Sequence, residues 1–294
     1  MPELRITISE ELAGHTVARV ALRALLMSNR QFKRAKFHGE VLLNGKAALA
    51  NARVAAGQEL LIRVPEKQSA RPVTYGAPLS VPYEDEAFLV VDKPAPLSSS
   101  TSDRRETPTL ENAVYTRLGC PEDFVYRPVN RLDKGTSGLM VVARTAHAQH
   151  LLQRTLHSED FVREYLAVVE GAPPEAEGLI DLPIGKADGA TVRREARADG
   201  KAARTLYWNV CTRNSRSLVR LRLDTGRTHQ IRVHMQASGC PVCGDFLYGT
   251  ELNELPGRFA LHSAFLRFRH PLTGKWVECE SALPPELERL LARG

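Results

Sequence analysis

One stretch limits the fold of this chain above all others: residues 131–139, with the sequence RLDKGTSGL, followed by the apolar residues 140–143. The first part is polar and punctuated by glycine, whereas the second is apolar and contains two adjacent valines. This change predicts a loop that enters a buried strand. Asp133 then lies at the mouth of a sheet, where scaffolds commonly hold reactive groups. The alternative is that Asp133 and Gly135 only build a turn, as these residue types often do.

Length and charge set broad limits on the protein. The 294 residues are enough for one large domain or for two domains of roughly 100–200 residues each. The net charge of +6 permits a polyanionic partner without requiring one. No apolar run approaches the roughly 20 residues of a membrane-spanning helix, and the N-terminus lacks the apolar core of a signal peptide. We therefore expect a soluble cytoplasmic protein with no membrane partner.

The cysteines and histidines do not have the spacing of a metal site. Five cysteines, an odd number, argue against a disulfide framework. Cys240 and Cys243 form one Cys-x-x-Cys pair with no second pair, so we expect two small buried residues, with a metal or redox site as the alternative. His229 and His234 fall on different faces of one predicted helix. We predict no bound metal.

Residues 1–66 have the pattern of a small αβ module. A helix is predicted over 17–26, and Ser28 can cap a second helix that Gly39 ends. A strand then enters the Asn44-Gly45 turn, and a last strand covers 59–64. No acidic residue occurs between Leu12 and Gly39. This basic window is either a solvated helix face or a face that contacts phosphate.

The order of helix, Ser-Asn-Arg, basic helix and Asn-Gly hairpin resembles the S-four-type RNA-binding domain. The resemblance covers about residues 10–64 and implies that basic side chains of this module bind RNA. Residues 67–80 contain prolines at 72 and 78 and predict a stiffened linker. The basic residues expected to contact RNA are Arg19, Arg30, Lys33 and Arg34.

Residues 81–294 alternate between predicted strands and helices. In the strand at 161–169, side-chain alternation places Arg163 and Tyr165 on the same face. After a turn at 224–226, Thr228 is predicted to cap a helix over 229–238. Arg227 would then stand at a helix N-terminus, where anions collect. The remaining predicted elements are strands at 87–94, 219–223, 261–266 and 275–280, and helices at 110–118, after Thr145 and at 284–291.

Several of these segments, in this order, resemble the motifs of the RluA-type pseudouridine synthases. The resemblance spans roughly residues 82–283. At residues 98–101 the chain departs from the family, which usually carries Gly and later His-Pro there. The matching segments are RLDKGTSGL at 131–139, REYLAVVEG at 163–171, GRTHQIRVH at 226–234, GDFLYG at 244–249 and LHS at 261–263.

The resemblance implies an enzyme that converts uridine in RNA to pseudouridine without a cofactor. Asp133 would be the catalytic carboxylate, and Arg227 would hold it ionised and aimed. Tyr165 would stack against the target base and help to remove the proton from carbon 5. Arg163 would contact phosphate, and Arg131 would hold the opened RNA. Large-subunit ribosomal RNA is the expected target, with transfer RNA as the alternative.

The resemblance also implies the architecture. We expect an α+β fold in which a mixed, largely antiparallel sheet carries the cleft over residues 81–294, beside a small αβ RNA-binding domain over residues 1–66. A monomer is expected. Two rival functions are a non-catalytic RNA-binding protein on the same scaffold and a glycosylase, because a carboxylate near an anomeric carbon also suits hydrolysis.

Overall fold

The computed structural model describes residues 3–65, 72–101 and 108–293. Part of the predicted linker, 67–71, and the last residues of a polar loop predicted from residue 98 to 105 lie outside these ranges. The described residues form α and β elements around one large, mostly antiparallel sheet, which confirms the predicted α+β fold class. None of their helices is long and apolar enough to cross a membrane.

The structure contains fifteen strands and six α-helices among the described residues. The strands are β1 Glu3–Thr7, β2 Glu40–Leu43, β3 Lys46–Ala47, β4 Glu59–Arg63, β5 Ser80–Glu84, β6 Phe88–Lys93, β7 Ser137–Ala143, β8 Phe161–Glu170, β9 Glu177–Asp181, β10 Ile184–Lys186, β11 Arg194–Ala196, β12 Arg204–Arg213, β13 Arg216–Leu223, β14 Leu261–Arg269 and β15 Trp276–Glu280. The helices are α1 Val17–Arg23, α2 Asn29–His38, α3 Leu110–Arg117, α4 Ala146–Thr155, α5 Gln230–Ala237 and α6 Pro285–Arg293, with a short 3-10 helix at Glu10–Leu12.

Residues 3–65 contain a four-stranded antiparallel sheet in the order β1-β4-β2-β3, packed against α1 and α2. Ser28 caps α2 as predicted, because its hydroxyl accepts from the Gln31 amide at 3.1 Å while the Gln31 side chain accepts from the Ser28 amide at 2.9 Å. The Asn44-Gly45 turn has φ values of 48° and 75°, the left-handed region that this pair favours in hairpins. This part of the chain has its own apolar core.

The large sheet has the order β5-β6-β7-β14-β8-β13-β12-β9, with β15 also paired to β14. Only the β7–β14 pair is parallel among the described strands. At the centre of the sheet, Ser263 of β14 lies beside both Gly138 of β7 and Tyr165 of β8. Gly138 has a φ of 107°, and a Cβ there would overlap the carbonyl oxygen of Ser263. Only glycine permits this approach of two strands.

Strand β7 is buried on both faces. Met140 and Val142 pack into the core shared with α3, α5 and α6, whereas Leu139 and Val141 pack into the core shared with α4. A strand covered on both sides needs apolar residues at every position. This is why residues 139–143 form a continuous apolar run rather than an alternating one.

Several strands were not predicted from the sequence: β1, β5 and β9 to β12. β5 and β9 are the two edges of the large sheet, and β1 is an edge of the small one. Edge strands bury less surface, so their apolar pattern is weaker.

The predicted cap of α5 was also wrong: His229, with a φ of 60°, takes the N-cap position instead of Thr228.

Candidate active site

A cavity of about 700 Å³ is lined by the loop before β7, the first half of β8 and the segment that leads into α5. A volume of this size falls within the usual range for ligand sites. The residues predicted from the sequence that line it are Asp133, Tyr165, Arg227, Arg131 and Arg163.

The loop that carries Asp133 is fixed by a hydroxyl from a neighbouring segment. The Ser99 hydroxyl donates to the Leu132 carbonyl and accepts from the Leu132 amide at 3.2 Å. Both backbone groups of the residue before Asp133 are therefore held by one side chain. Ser99 belongs to the segment 98–101, for which the sequence predicted no role, and it fixes the loop through a contact 33 positions away.

A buried lysine lies on the other side of the same loop. Lys93 is fully buried and donates to the carbonyls of Leu97 at 2.8 Å and, weakly, Lys134 at 3.5 Å. Burial lowers the pKa of Lys93 to about 7, and the nearby negative charge of Asp133 partly opposes this shift. Lys93 thus ties the segment after β6 to the segment after Asp133.

The charge partner of Asp133 is Arg232, not Arg227. The Arg232 Nη1 atom donates to Asp133 Oδ2 at 2.9 Å. Arg227 donates through Nε to the carbonyl of Ala202 at 2.9 Å, so the predicted ion pair between Arg227 and Asp133 was wrong. The Asp133 side chain remains 29% exposed, which leaves the carboxylate open to a ligand in the cavity.

The start of α5 explains why the prediction chose the wrong arginine. The helix begins at Gln230, whose side-chain oxygen accepts from the Arg227 amide at 2.9 Å. Arg227 is therefore an exposed residue of the turn that precedes the helix. Arg232 lies in the first turn of α5, whose residues 230–235 are all buried. Both arginines belong to the same motif, and only the helix start decides which one faces inward.

Arg232 is itself held by a second carboxylate. Its Nε and Nη2 atoms donate to the two oxygens of Asp245 at 2.6 and 2.8 Å, and Asp245 is fully buried. The rings of Tyr248 and Phe259 lie 4.9 and 4.1 Å from the guanidinium carbon. Burial opposes the charge on Arg232, but its contacts with Asp245 and Asp133 raise its pKa above the ordinary value. The ion pair of Arg232 with Asp245 therefore presents a rigid, charged guanidinium to Asp133.

Tyr165 lies beside these groups on β8. Its side chain is 5% exposed, and burial raises the pKa of its hydroxyl, while the charge of Arg163 opposes this shift. Arg163 is two positions earlier on the same strand, so both side chains reach the cavity as the alternation predicted. A buried neutral tyrosine offers an aromatic surface with one polar atom, which suits contact with a nucleobase.

The sequence did not identify His229 as a site residue. Its Nδ1 atom lies 2.8 Å from the Tyr248 hydroxyl, and its Nε2 atom lies 3.9 Å from Asp133 Oδ2. The Tyr248 hydroxyl also accepts from the Arg194 amide at 2.8 Å, so it links His229 to the segment that carries Arg194. Burial lowers the pKa of His229, and the negative charge of Asp133 opposes this shift.

The basic residues of the N-terminal module are separate from this cavity. Arg19, Arg30 and Lys33 are exposed on α1 and α2, and Arg34 is half-buried. Burial lowers the pKa of Arg127 to about 10, and the charge of Arg34 adds to this shift. Within the described ranges, no three His, Cys, Asp or Glu side chains converge as metal ligands would, and Cys240 and Cys243 are both fully buried.

Comparison with known proteins agrees with the fold. Residues 87–237 match the family model of the RNA pseudouridylate synthases, which is more than half of the chain. The chain therefore belongs to the RNA pseudouridine synthases, and within them to the RluA type. Members of this family are isomerases, and RNA is their substrate.

Particular relatives cover most of the chain. The "uncharacterized RNA pseudouridine synthase YjbO" of Bacillus subtilis is 36% identical over 257 residues, which are 86% of this chain and 90% of that protein. The "ribosomal large subunit pseudouridine synthase D" of Xanthomonas campestris pv. campestris is 37% identical over 271 residues, which are 86% of this chain and 81% of that protein. The solved structure of human RNA pseudouridylate synthase domain containing 1 superposes with a TM-score of 0.58 at 28% identity, covering 71% of this chain and 86% of that one.

Proposed function

We propose that this RNA pseudouridine synthase modifies uridines of large-subunit ribosomal RNA, with Asp133 as the catalytic carboxylate and without a cofactor. The relative from Xanthomonas campestris, whose name specifies the ribosomal large subunit, supports this target class. The observation that carries the catalytic assignment is the hydrogen bond of 2.9 Å between Arg232 and Asp133 in a cavity large enough for a nucleoside.

The reaction requires only groups that the cavity contains. The bond between N1 of uracil and C1′ of ribose breaks, the base rotates, and a new bond forms between C5 and C1′. The proton on C5 leaves and N1 gains one, so atoms and electrons balance without an oxidant or a group donor. Asp133 acts at the sugar, either as a nucleophile on C1′ or as a base and electrostatic stabiliser. Arg232 keeps Asp133 oriented while the base turns.

Tyr165 is the group proposed to contact the base. Its buried ring would provide a stacking surface, and its hydroxyl would help to remove the C5 proton. A base can rotate only after it leaves its stack, so the proposal includes base flipping at a cost of a few kcal/mol. Arg131, exposed beside Asp133 at the cavity rim, would hold the RNA from which the base was removed.

The N-terminal module supplies the wider contact with RNA in this proposal. Residues 1–66 form an RNA-binding domain, 67–80 a linker and 81–294 the catalytic domain. The exposed face of α1 and α2 neutralises phosphates. The residues assigned to this contact are Arg19, Arg30, Lys33 and Arg34. A monomeric state and a cytoplasmic location are predictions of the sequence that accompany the proposal.

The decisive experiment replaces Asp133 by asparagine, which keeps the shape of the side chain and removes its charge. RNA labelled with tritium on C5 of uridine releases tritium when pseudouridine forms. We expect Asp133→Asn to bind RNA with the affinity of the parent protein and to release no tritium. Tritium release at the parent rate would refute the role of Asp133.

The target is tested separately, by comparing pseudouridine maps of cells with and without this protein. We expect sites to disappear from large-subunit ribosomal RNA. Loss of sites from transfer RNA alone would favour the alternative target and leave the catalytic assignment intact.

A further inference from the structure

One wall of the cavity carries a cluster of basic side chains that takes no part in holding Asp133. Arg163 projects from β8, His157 follows α4, and Arg227 precedes α5, and all three line the cavity. The Arg163 Nη2 atom lies 3.3 Å from His157 Nδ1. Burial lowers the pKa of His157, and the positive charges of Arg163 and Arg227 lower it further. Three separate elements thus direct basic groups at one place.

Arg163 lacks the counter-ion that a buried guanidinium normally has. Its side chain is 4% exposed, and its Nε atom has no hydrogen-bond partner. Among the described residues, its one side-chain hydrogen bond is with His157, and it forms no ion pair with a carboxylate. Arg232, which lines the same cavity, has two carboxylate partners. A buried charge without a partner costs free energy, so the missing negative charge of Arg163 is expected to arrive with a ligand.

The backbone beside this cluster is bare. A Cβ atom on Gly226 would lie 3.0 Å from His157 Cε1 and 3.3 Å from Arg163 Nη1, so any side chain there would push both groups aside. The φ of Gly226 is not in the left-handed region, so the backbone conformation does not require glycine. The absence of a side chain at Gly226 therefore leaves room for the side chains of His157 and Arg163.

We propose that Arg163, His157 and Arg227, together with the bare backbone of Gly226, form a subsite for one phosphodiester of the RNA backbone next to the target uridine. Phosphate oxygens accept the paired hydrogen bonds that a guanidinium fork donates. When the target base leaves its stack, a phosphate beside it is drawn toward the cavity with the sugar. The subsite gives Arg227 the role of an RNA contact in place of the ion pair first predicted for it. This inference rests on the proposed function, because the phosphate belongs to the RNA substrate.

The salt dependence of RNA binding tests the subsite without measuring catalysis. For the full chain binding a transcript of large-subunit ribosomal RNA, log affinity decreases with log salt concentration. The slope of this line is expected to become less steep by about 0.7 to 0.9 for each phosphate that the protein no longer neutralises. Three variants disrupt the subsite: Arg163→Gln, the exposed Arg227→Gln, and Gly226→Val, which fills the subsite without changing the charge. Arg293→Gln is the matched control, because its side chain is 68% exposed on α6 and does not line the cavity.

We expect each of the three subsite variants to make the slope less steep by about that amount and Arg293→Gln to leave it unchanged. An equal loss of steepness in Arg293→Gln and Arg163→Gln would show that only the net charge matters and would overturn the proposal. A slope for Gly226→Val equal to that of the parent protein would also overturn it. Because Arg163 is buried, the other two variants decide the matter if Arg163→Gln does not fold. Pseudouridine formation by the parent protein is assayed in parallel, so absence of product with the expected slopes would refute the proposed reaction and not the subsite.

Discussion

Arg232 and Asp133, 99 positions apart in sequence, are joined by a hydrogen bond of 2.9 Å, and the other edge of the same guanidinium is bound by Asp245. One arginine therefore links a buried carboxylate to an accessible one. The buried partner fixes the guanidinium, and the accessible partner faces the cavity. A charged group that is already oriented before substrate binds does not have to reorganise during the reaction.

Replacing Arg232 should affect catalysis more than replacing Arg227. We expect Arg232→Gln to lower kcat by about 10²–10³, because the oriented charge beside Asp133 is removed. Arg227→Gln should retain kcat within about threefold and raise KM, because Arg227 is exposed, donates to a backbone carbonyl and, as proposed, contacts RNA. Steady-state tritium release over a range of RNA concentrations separates the two constants. The opposite pattern, with kcat abolished in Arg227→Gln, would restore the first assignment.

Removing the charge of Asp245 should destabilise the protein. Asp245→Asn leaves the buried Arg232 with one carboxylate partner, and breaking a buried ion pair costs about 3–5 kcal/mol of unfolding free energy. Asp245 also accepts from the amides of Leu247 and Tyr248 at 3.0 and 3.2 Å, contacts that the amide oxygen of asparagine can keep. Urea denaturation followed by circular dichroism measures the change. Asp188→Asn is the control, since its ion pair with Arg197 is on the surface and should contribute little.

Replacing Tyr165 by phenylalanine should separate stacking from proton removal. The ring remains, so RNA affinity should stay within about twofold, whereas loss of the hydroxyl should lower kcat by about 10²-fold if it assists removal of the C5 proton. That step would then limit the rate. RNA that carries deuterium on C5 of uridine should therefore react more slowly than ordinary RNA with Tyr165→Phe. A variant with unchanged kcat and no isotope effect would show that the hydroxyl is dispensable.

The buried Lys93 should make stability depend on pH. Its pKa is about 7 in the folded protein and 10.5 ordinarily, so the unfolded chain binds more protons between these values. Stability contributed by this group is therefore fully present above pH 10.5 and declines as pH falls to about 7. Because of Lys93, the unfolding free energy of the parent protein should be about 2 kcal/mol larger at about pH 9 than at about pH 7. Lys93→Met should lose this contribution to the pH dependence.

Urea denaturation of both proteins at the two pH values measures this difference. Lys275→Met, which removes an exposed lysine, is the control and should keep the pH dependence of the parent protein. The same pH dependence in Lys93→Met and in the parent would show that Lys93 does not titrate in this range.

The local sequence was sufficient to predict the elements that carry the site. The run at 139–143 predicted β7, the alternation at 161–169 placed Arg163 and Tyr165 on one face, and Ser28 marked the start of α2. These features depend on neighbours a few residues away, because strand alternation and helix capping are short-range geometry.

The sequence was insufficient where contacts join distant segments. No role was predicted for Ser99, Lys93, Asp245 or His229, although the last two lie in matching motifs, because each acts through a group that is far away in sequence or in another loop. The edge strands were missed for a related reason, since a strand that buries little surface has a weak apolar pattern.

By itself, then, the sequence determined which residue types were available near Asp133 and on which strands and turns they lie. Only the tertiary structure decided that Arg232 rather than Arg227 contacts the carboxylate. The physical reason is that α5 begins after a left-handed His229, and its packing against the large sheet turns Arg232 inward to Asp245 while Arg227 stays in the exposed turn.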